Sequence, residues 1–117
     1  TGKLRYANAG HPTPYRINSS GLKTLPGNDP FLGPIKDVVY TTYSATLEKE
    51  DSLFIFTDGL QDIIDENYHK IDLEAFLKLL SDRSVAGRDS FIDFTAGISG
   101  QKYIRSDDCT VMMIRKK

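Results

Sequence analysis

The chain has one cysteine, Cys109, and two histidines, His11 and His69. A single thiol excludes an internal disulfide. One Cys and two His also make a structural zinc site improbable. Long apolar runs are missing as well. The longest strongly apolar run, Leu53 to Phe56, is far below the roughly 20 residues that span a bilayer. The opening Thr1-Gly2-Lys3-Leu4-Arg5 lacks the apolar stretch of a signal peptide. Nor is there an excess of positive charge: 15 basic residues stand against 16 acidic ones, for a net charge of -1. Nucleic-acid binders need a basic surface, and the only basic run here is the terminal Arg115-Lys116-Lys117. These absences lead us to expect a cytoplasmic protein with no membrane contact from this segment and no nucleic-acid partner. Any metal would be held by carboxylate oxygens, which favours magnesium or manganese.

What is present suffices for a core. Hydrophobic residues make up 39% of the 117 residues, which suits one small domain or a piece of a larger one. Strand-like residues begin at once, at Leu4, which reads as a cut inside a larger protein. The patterning predicts strands over Lys3–Ala9 and Thr13–Ile17, and Leu22–Leu25 as the return strand of a hairpin across Asn18-Ser19-Ser20-Gly21. Pro26–Gly33 reads as loop. Val38–Leu47 is rich in strand-forming Val, Tyr and Thr, Glu48–Asp51 is a charged turn, and Ser52–Phe56 is a strand apolar on both faces. A short helix is expected over Leu60–Glu66. A longer one carries Leu73, Phe76, Leu77 and Leu80 behind an Asp72 cap, and another runs from Arg88 to Ile98. Thr110–Ile114 is a final strand. Antiparallel strands, then two main helices, then a strand predict an α+β fold with helices on one face of a mixed sheet.

Two acidic clusters stand out. Thr57-Asp58-Gly59 directly follows the buried strand, and Ser106-Asp107-Asp108 directly precedes the last one. If those two strands are antiparallel neighbours, both clusters lie at one end of the sheet. Adjacent strands are about 4.8 Å apart, so Asp58 and Asp107 could share a divalent ion. Each cluster alone is better read as a solvated turn, and only the two together, each beside a buried strand, point toward a site. A third feature, Asn8-Ala9-Gly10-His11-Pro12, places a histidine in a turn, where it is more often hydrogen-bonded than catalytic. His69 reads as surface, and Cys109 as a small buried residue. No Ser-His-Asp signature and no phosphate-cradling glycine loop occurs. Asp58 has no second Asp two residues on, which argues against an aspartyl-phosphate mechanism.

In order, Tyr6-Ala7-Asn8-Ala9-Gly10-His11-Pro12, Phe31-Leu32-Gly33, Leu53-Phe54-Ile55-Phe56-Thr57-Asp58-Gly59-Leu60 and Ser106-Asp107-Asp108-Cys109-Thr110 resemble the metal-dependent PPM (type 2C-like) serine/threonine phosphatases. Within these, the pattern is similar to the branch of stage II sporulation protein E and the sigma-factor regulators, over the C-terminal half of the domain. The resemblance implies an αββα sandwich with two Mn or Mg ions at one edge, and hydrolysis of phosphoserine or phosphothreonine by metal-activated water. It implies a phosphorylated regulatory protein, of the anti-sigma-factor-antagonist type, as partner in bacterial signal transduction. Asp58 and Asp107 would be metal ligands, Asp108 and Gly59 would stand beside them, and Asn8 and His11 would line the strand end. Asp62 stands where the family usually has Glu and reads as a solvated helix residue.

The departures are equally specific. The glycine-rich segment carrying the family's further metal-binding Asp is missing from these residues, so the chain by itself is expected to be inactive. Glu50 replaces a usual Gly, and a Glu at positive φ would be strained, so a rebuilt turn is expected there. The competing reading is a non-catalytic regulatory or dimerisation module. Half a sandwich exposes apolar sheet, which predicts self-association.

Overall fold

The computed structural model describes residues 1–65, 67–82, 91–93, 95–97, 100 and 103–117, with the side chains of residues 79–82 set aside. Its centre is a four-stranded antiparallel sheet. The strands are β2 (Tyr15–Asn18), β3 (Gly21–Thr24), β5 (Ser52–Phe56) and β8 (Val111–Arg115), in the order β3-β2-β5-β8. A second, two-stranded sheet pairs β1 (Lys3–Tyr6) with β4 (Tyr43–Thr46), and a third pairs β6 (Ile64–Asp65) with β7 (Tyr103–Ile104). The main helix, α1 (Leu73–Asp82), packs on β2 and β3. Residues 91–93 and 95–97 are also helical.

The β2–β3 hairpin forms because Asn18 and Gly21 pair across a two-residue loop. The Asn18 side chain accepts the Ser20 amide at 2.9 Å, and Gly21 takes a φ of 117°. Helix α1 starts where Asp72 caps it: Asp72 Oδ1 accepts the Ala75 amide at 2.9 Å.

Strand β5 divides two cores. Phe54 and Phe56 face the helical side, where they join Ile17, Leu60, Ile63 and Leu77. Leu53 and Ile55 face the other sheet, where Leu25 and Leu47 meet Leu4, Tyr6 and Ala45. The layers are therefore helix, four-stranded sheet and two-stranded sheet, the α, β and β layers of the expected sandwich.

Several expectations need correction. The helix expected over Leu60–Glu66 does not form over residues 60–65, and Glu66 lies outside the described residues. Asp58–Leu60 forms one 3₁₀ turn, and Ile64 then pairs with Ile104. Residues 60, 63 and 64 have helical spacing, but Gln61 and Asp62 form an exposed turn and Ile64 finds a strand partner instead. The strand expected over Val38–Leu47 shrinks to β4, because only Tyr43–Thr46 lies opposite β1. Val39 is 89% exposed, and Asp37 turns the chain at a φ of 60°. For the same reason β1 stops at Tyr6. Phe94, Ile98, the Leu80 side chain and residues 88–90 lie outside the described residues. The turn at Glu50 is not rebuilt. Glu50 adopts a φ of 71° and its carboxylate pairs with Arg115. A surface ion pair partly offsets the cost of roughly 1–2 kcal/mol for a left-handed non-glycine residue.

Asp51 is the one buried carboxylate among the described residues, with its side chain 4% exposed. Its Oδ2 accepts Arg16 Nε at 2.7 Å and the Glu48 amide at 2.8 Å. The pair ties β2 to the entry of β5. Removing one partner of a buried pair strands the other charge. Arg16 is partly exposed and would recover some hydration, so Asp51→Ala is expected to cost about 2–4 kcal/mol. Chemical denaturation would read this directly, and a loss below about 1 kcal/mol would assign Asp51 to mere surface turn chemistry.

Candidate metal centre

Strands β2 and β8 both run antiparallel to β5. The C-terminal end of β5 therefore lies beside the N-terminal ends of β2 and β8. Three segments enter or leave the sheet at that end: the approach to β2 that follows His11, the exit of β5 with Asp58, and the approach to β8 with Asp107 and Asp108. The condition set by the sequence is met, since β5 and β8 are neighbours with Phe56 opposite Val111. The ladder runs one step further, where the Thr57 amide donates to the Thr110 carbonyl at 3.0 Å.

Asp58 and Asp107 are both exposed. Asp58 Oδ1 accepts only the neighbouring Gly59 amide at 3.1 Å, and Asp107 Oδ1 accepts the Asp108 amide at 2.7 Å. Among the described residues neither pairs with a cation. Two oxygen donors at one rim, without an internal countercharge, suit a hard divalent ion that keeps part of its water shell. They do not form a full cage. Among the described residues no group of three or more His, Cys, Asp or Glu is placed to hold a metal.

Gly59 is needed for space. It is absent from the left-handed glycines, so a sharp turn is not its role. A Cβ placed there would overlap the carbonyl oxygen of Asp108, with the carbonyl carbon 3.0 Å away. The two acidic segments thus touch main chain to main chain through the one residue that has no side chain.

Asn8 and His11 act differently from a ligand pair. Asn8 is buried, and its side chain closes the loop: Oδ1 accepts the His11 amide at 2.8 Å and Nδ2 donates to the His11 carbonyl at 2.9 Å. Both ends of its amide are thus engaged in holding the loop. His11 is exposed, and its Nδ1 lies 2.9 Å from the Pro12 carbonyl. No hydrogen bond joins His11 to Asp58 or Asp107 among the described residues. Asp62 is exposed and pairs with Lys70 at 2.9 Å, as a solvated turn residue rather than a helical one. His69 is on the surface, with its side chain 80% exposed. Cys109 is half-buried against the helical-side core, and this burial pushes its thiol pKa up, with Arg105 opposing. The Thr57 hydroxyl, which motif position alone does not mark, accepts the Thr110 amide at 2.9 Å. Its signal was available in the pairing of Thr57 and Thr110 at matched strand ends.

The fold is that of the PP2C phosphatase domains. The SiaA PP2C domain of Pseudomonas aeruginosa superposes with a TM-score of 0.73 at 21% identity, over 99% of this chain and 47% of that one. The RsbU and RsbW domains of Rv1364c from Mycobacterium tuberculosis give 0.71 at 20% identity, over 99% and 33%. RsbX in complex with magnesium gives 0.61 at 24% identity, over 96% and 48%. The chain spans between a third and a half of the length of these structures. No curated protein matches it. The family model of stage II sporulation protein E (SpoIIE) matches residues 1–117, and the chain belongs to that family.

Because the Asp108 carbonyl is main chain, it cannot move aside for a side chain without shifting the start of β8. Gly59→Ala is therefore expected to cost about 1–3 kcal/mol. It should also speed amide exchange at Thr57 and Thr110 ahead of the rest of the sheet. Thermal unfolding and residue-resolved exchange would check both, and a variant as stable as the parent would show that the contact is loose.

Proposed function

We propose that the intact domain to which this chain contributes is a metal-dependent protein phosphatase. It would hydrolyse phosphoserine or phosphothreonine on a regulatory protein of the anti-sigma-factor-antagonist type. The observation that carries the reading is the antiparallel pairing of β5 with β8, which sets the Asp58 and Asp107 segments side by side, with no cationic side chain paired to either carboxylate among the described residues. Membership of the SpoIIE family and the PP2C fold support it, as does the magnesium in the RsbX structure. Asp58 and Asp107 would hold Mn or Mg. Asp108 and Gly59 would keep the two segments in contact, and Asn8 would hold the loop that brings His11 to the same end. The chemistry a divalent ion supplies at such a centre is a lowered water pKa and neutralised charge on the phosphoryl oxygens. These 117 residues hold two of the carboxylates, and the remaining ligands would come from the rest of the domain.

The test uses the intact domain with manganese and a phosphoserine peptide. Asp58→Asn and Asp107→Asn should each lower kcat/KM by about a hundredfold or more, the loss of several kcal/mol of charge stabilisation. Asp62→Asn should stay within about twofold. Absence of turnover in the parent domain, or full turnover in Asp58→Asn, would remove the reading.

A second reading, a non-catalytic module that pairs with itself, is favoured by one observation. Strand β8 is an edge of the four-stranded sheet among the described residues, with Met112 52% and Ile114 46% exposed. An open edge beside apolar side chains promotes strand pairing between copies. Sedimentation of the 117-residue chain is expected to show concentration-dependent association that Met112→Lys reduces. A clean monomer at high concentration would contradict it.

A further inference from the structure

A strand that ends in a turn faces a conflict at its last residue. The ladder wants that residue's carbonyl as an acceptor, and the turn wants it too. Thr57 is that residue. Its carbonyl accepts the Leu60 amide at 3.0 Å, which starts the 3₁₀ turn that carries Asp58. The Thr110 amide, which would bond that carbonyl in a continued ladder, instead donates to Thr57 Oγ1 at 2.9 Å. The Thr57 amide still reaches the Thr110 carbonyl at 3.0 Å. The carbonyl oxygens of Asp108 and Thr110 each lie 3.5 Å from the same hydroxyl oxygen.

We propose that Thr57 is a positioning residue of the candidate metal rim: its hydroxyl replaces a main-chain carbonyl in the ladder, so that the chain turns at Asp58 while still gripping the Asp107–Asp108 segment. The proposal rests on the metal reading given above. Without the hydroxyl, either the turn or the last ladder bond is lost, and the two carboxylates separate. Valine has the same shape but cannot make the bond. Serine can.

The experiment compares Thr57→Val, Thr57→Ala and Thr57→Ser in the intact domain by two measurements, exchange at the Thr110 amide and affinity for Mn²⁺ alone. Loss of a group that orients a metal ligand typically weakens metal binding about 10- to 100-fold. That loss is expected for Val and Ala, together with accelerated Thr110 exchange. Thr57→Ser should stay within about threefold on both measurements. Parental manganese affinity in Thr57→Val, or equal impairment of Ser and Val, would overturn the proposal. If Val fails to fold, Ala against Ser makes the same comparison. Asp58→Asn separates the two ideas. If it leaves manganese affinity unchanged, the metal reading itself fails. If it abolishes affinity while Thr57→Val does not change it, only the positioning role fails.

Discussion

The pairing of β5 with β8 is the constraint on which the other features depend. Strand β5 has a hydrogen-bonded neighbour on each edge and a core on each face. Slipping its register by one residue would drive Phe54 and Phe56 into the sheet interface and Leu53 and Ile55 against the helix. The apolar pattern of residues 52–56 therefore fixes where Asp58 emerges. The pairing Phe56 with Val111 then fixes where the Asp107–Asp108 segment arrives. Specifying the core and specifying the rim are one act in this molecule.

The two ends of β5 show how surroundings divide identical residues. Asp51 precedes the strand and Asp58 follows it, at its opposite ends. Asp51 is buried and satisfied, with Arg16 and the Glu48 amide on one oxygen. Asp58 is exposed, and among the described residues its carboxylate accepts the neighbouring Gly59 amide and pairs with no cation. A carboxylate that already has its cation contributes to stability and has little capacity left. One held in place by backbone geometry, but not neutralised, is free to take an external cation. The same contrast separates Asn8, buried and tied to both polar groups of the His11 main chain, from Asp107, exposed and bonded among the described residues through Oδ1 to the Asp108 amide.

The strand set was legible where a strand had both apolar patterning and a partner. Ser52–Phe56 announces itself because it is apolar on both faces, and the β2–β3 hairpin because Asn18 and Gly21 supply its turn chemistry. Val38–Leu47 misled because propensity is necessary for a strand and pairing decides it, and only four of its residues meet β1. Leu60–Glu66 misled because helical spacing also fits a turn followed by a bridge. The tiny β6–β7 pair was invisible, since two residues carry no period. The rim was half legible. Asp58 and Asp107 are candidates from motif position, and the neighbouring of their segments rests on the pairing of β5 with β8, which the sequence could state only as a condition. The reason for Gly59 could not be read at all, because close approach to Asp108 is a property of space and leaves no local signature.

The incompleteness of the core and of the rim have a common geometry. The helical side of the four-stranded sheet is closed by Phe54, Leu60, Ile63 and Leu77, all fully buried. The other side carries an open pocket of about 330 Å³, bordered by Leu4, Tyr6, Leu53, Ile55 and Ile114, with His11 at its lining. The Tyr6 hydroxyl is buried there without a hydrogen-bond partner among the described residues, a cost of about 1–3 kcal/mol if it stays so. Burial also raises its pKa. Unfilled volume, an unmet polar group and an open β8 edge thus all lie on the face that the second sheet only partly covers. On the proposed metal reading, strands added on that face would close the pocket and supply further ligands at the end where Asp58 and Asp107 stand. Core completion and metal affinity would then be linked quantities, because a site assembled only by folding returns its binding energy as stability of the fold.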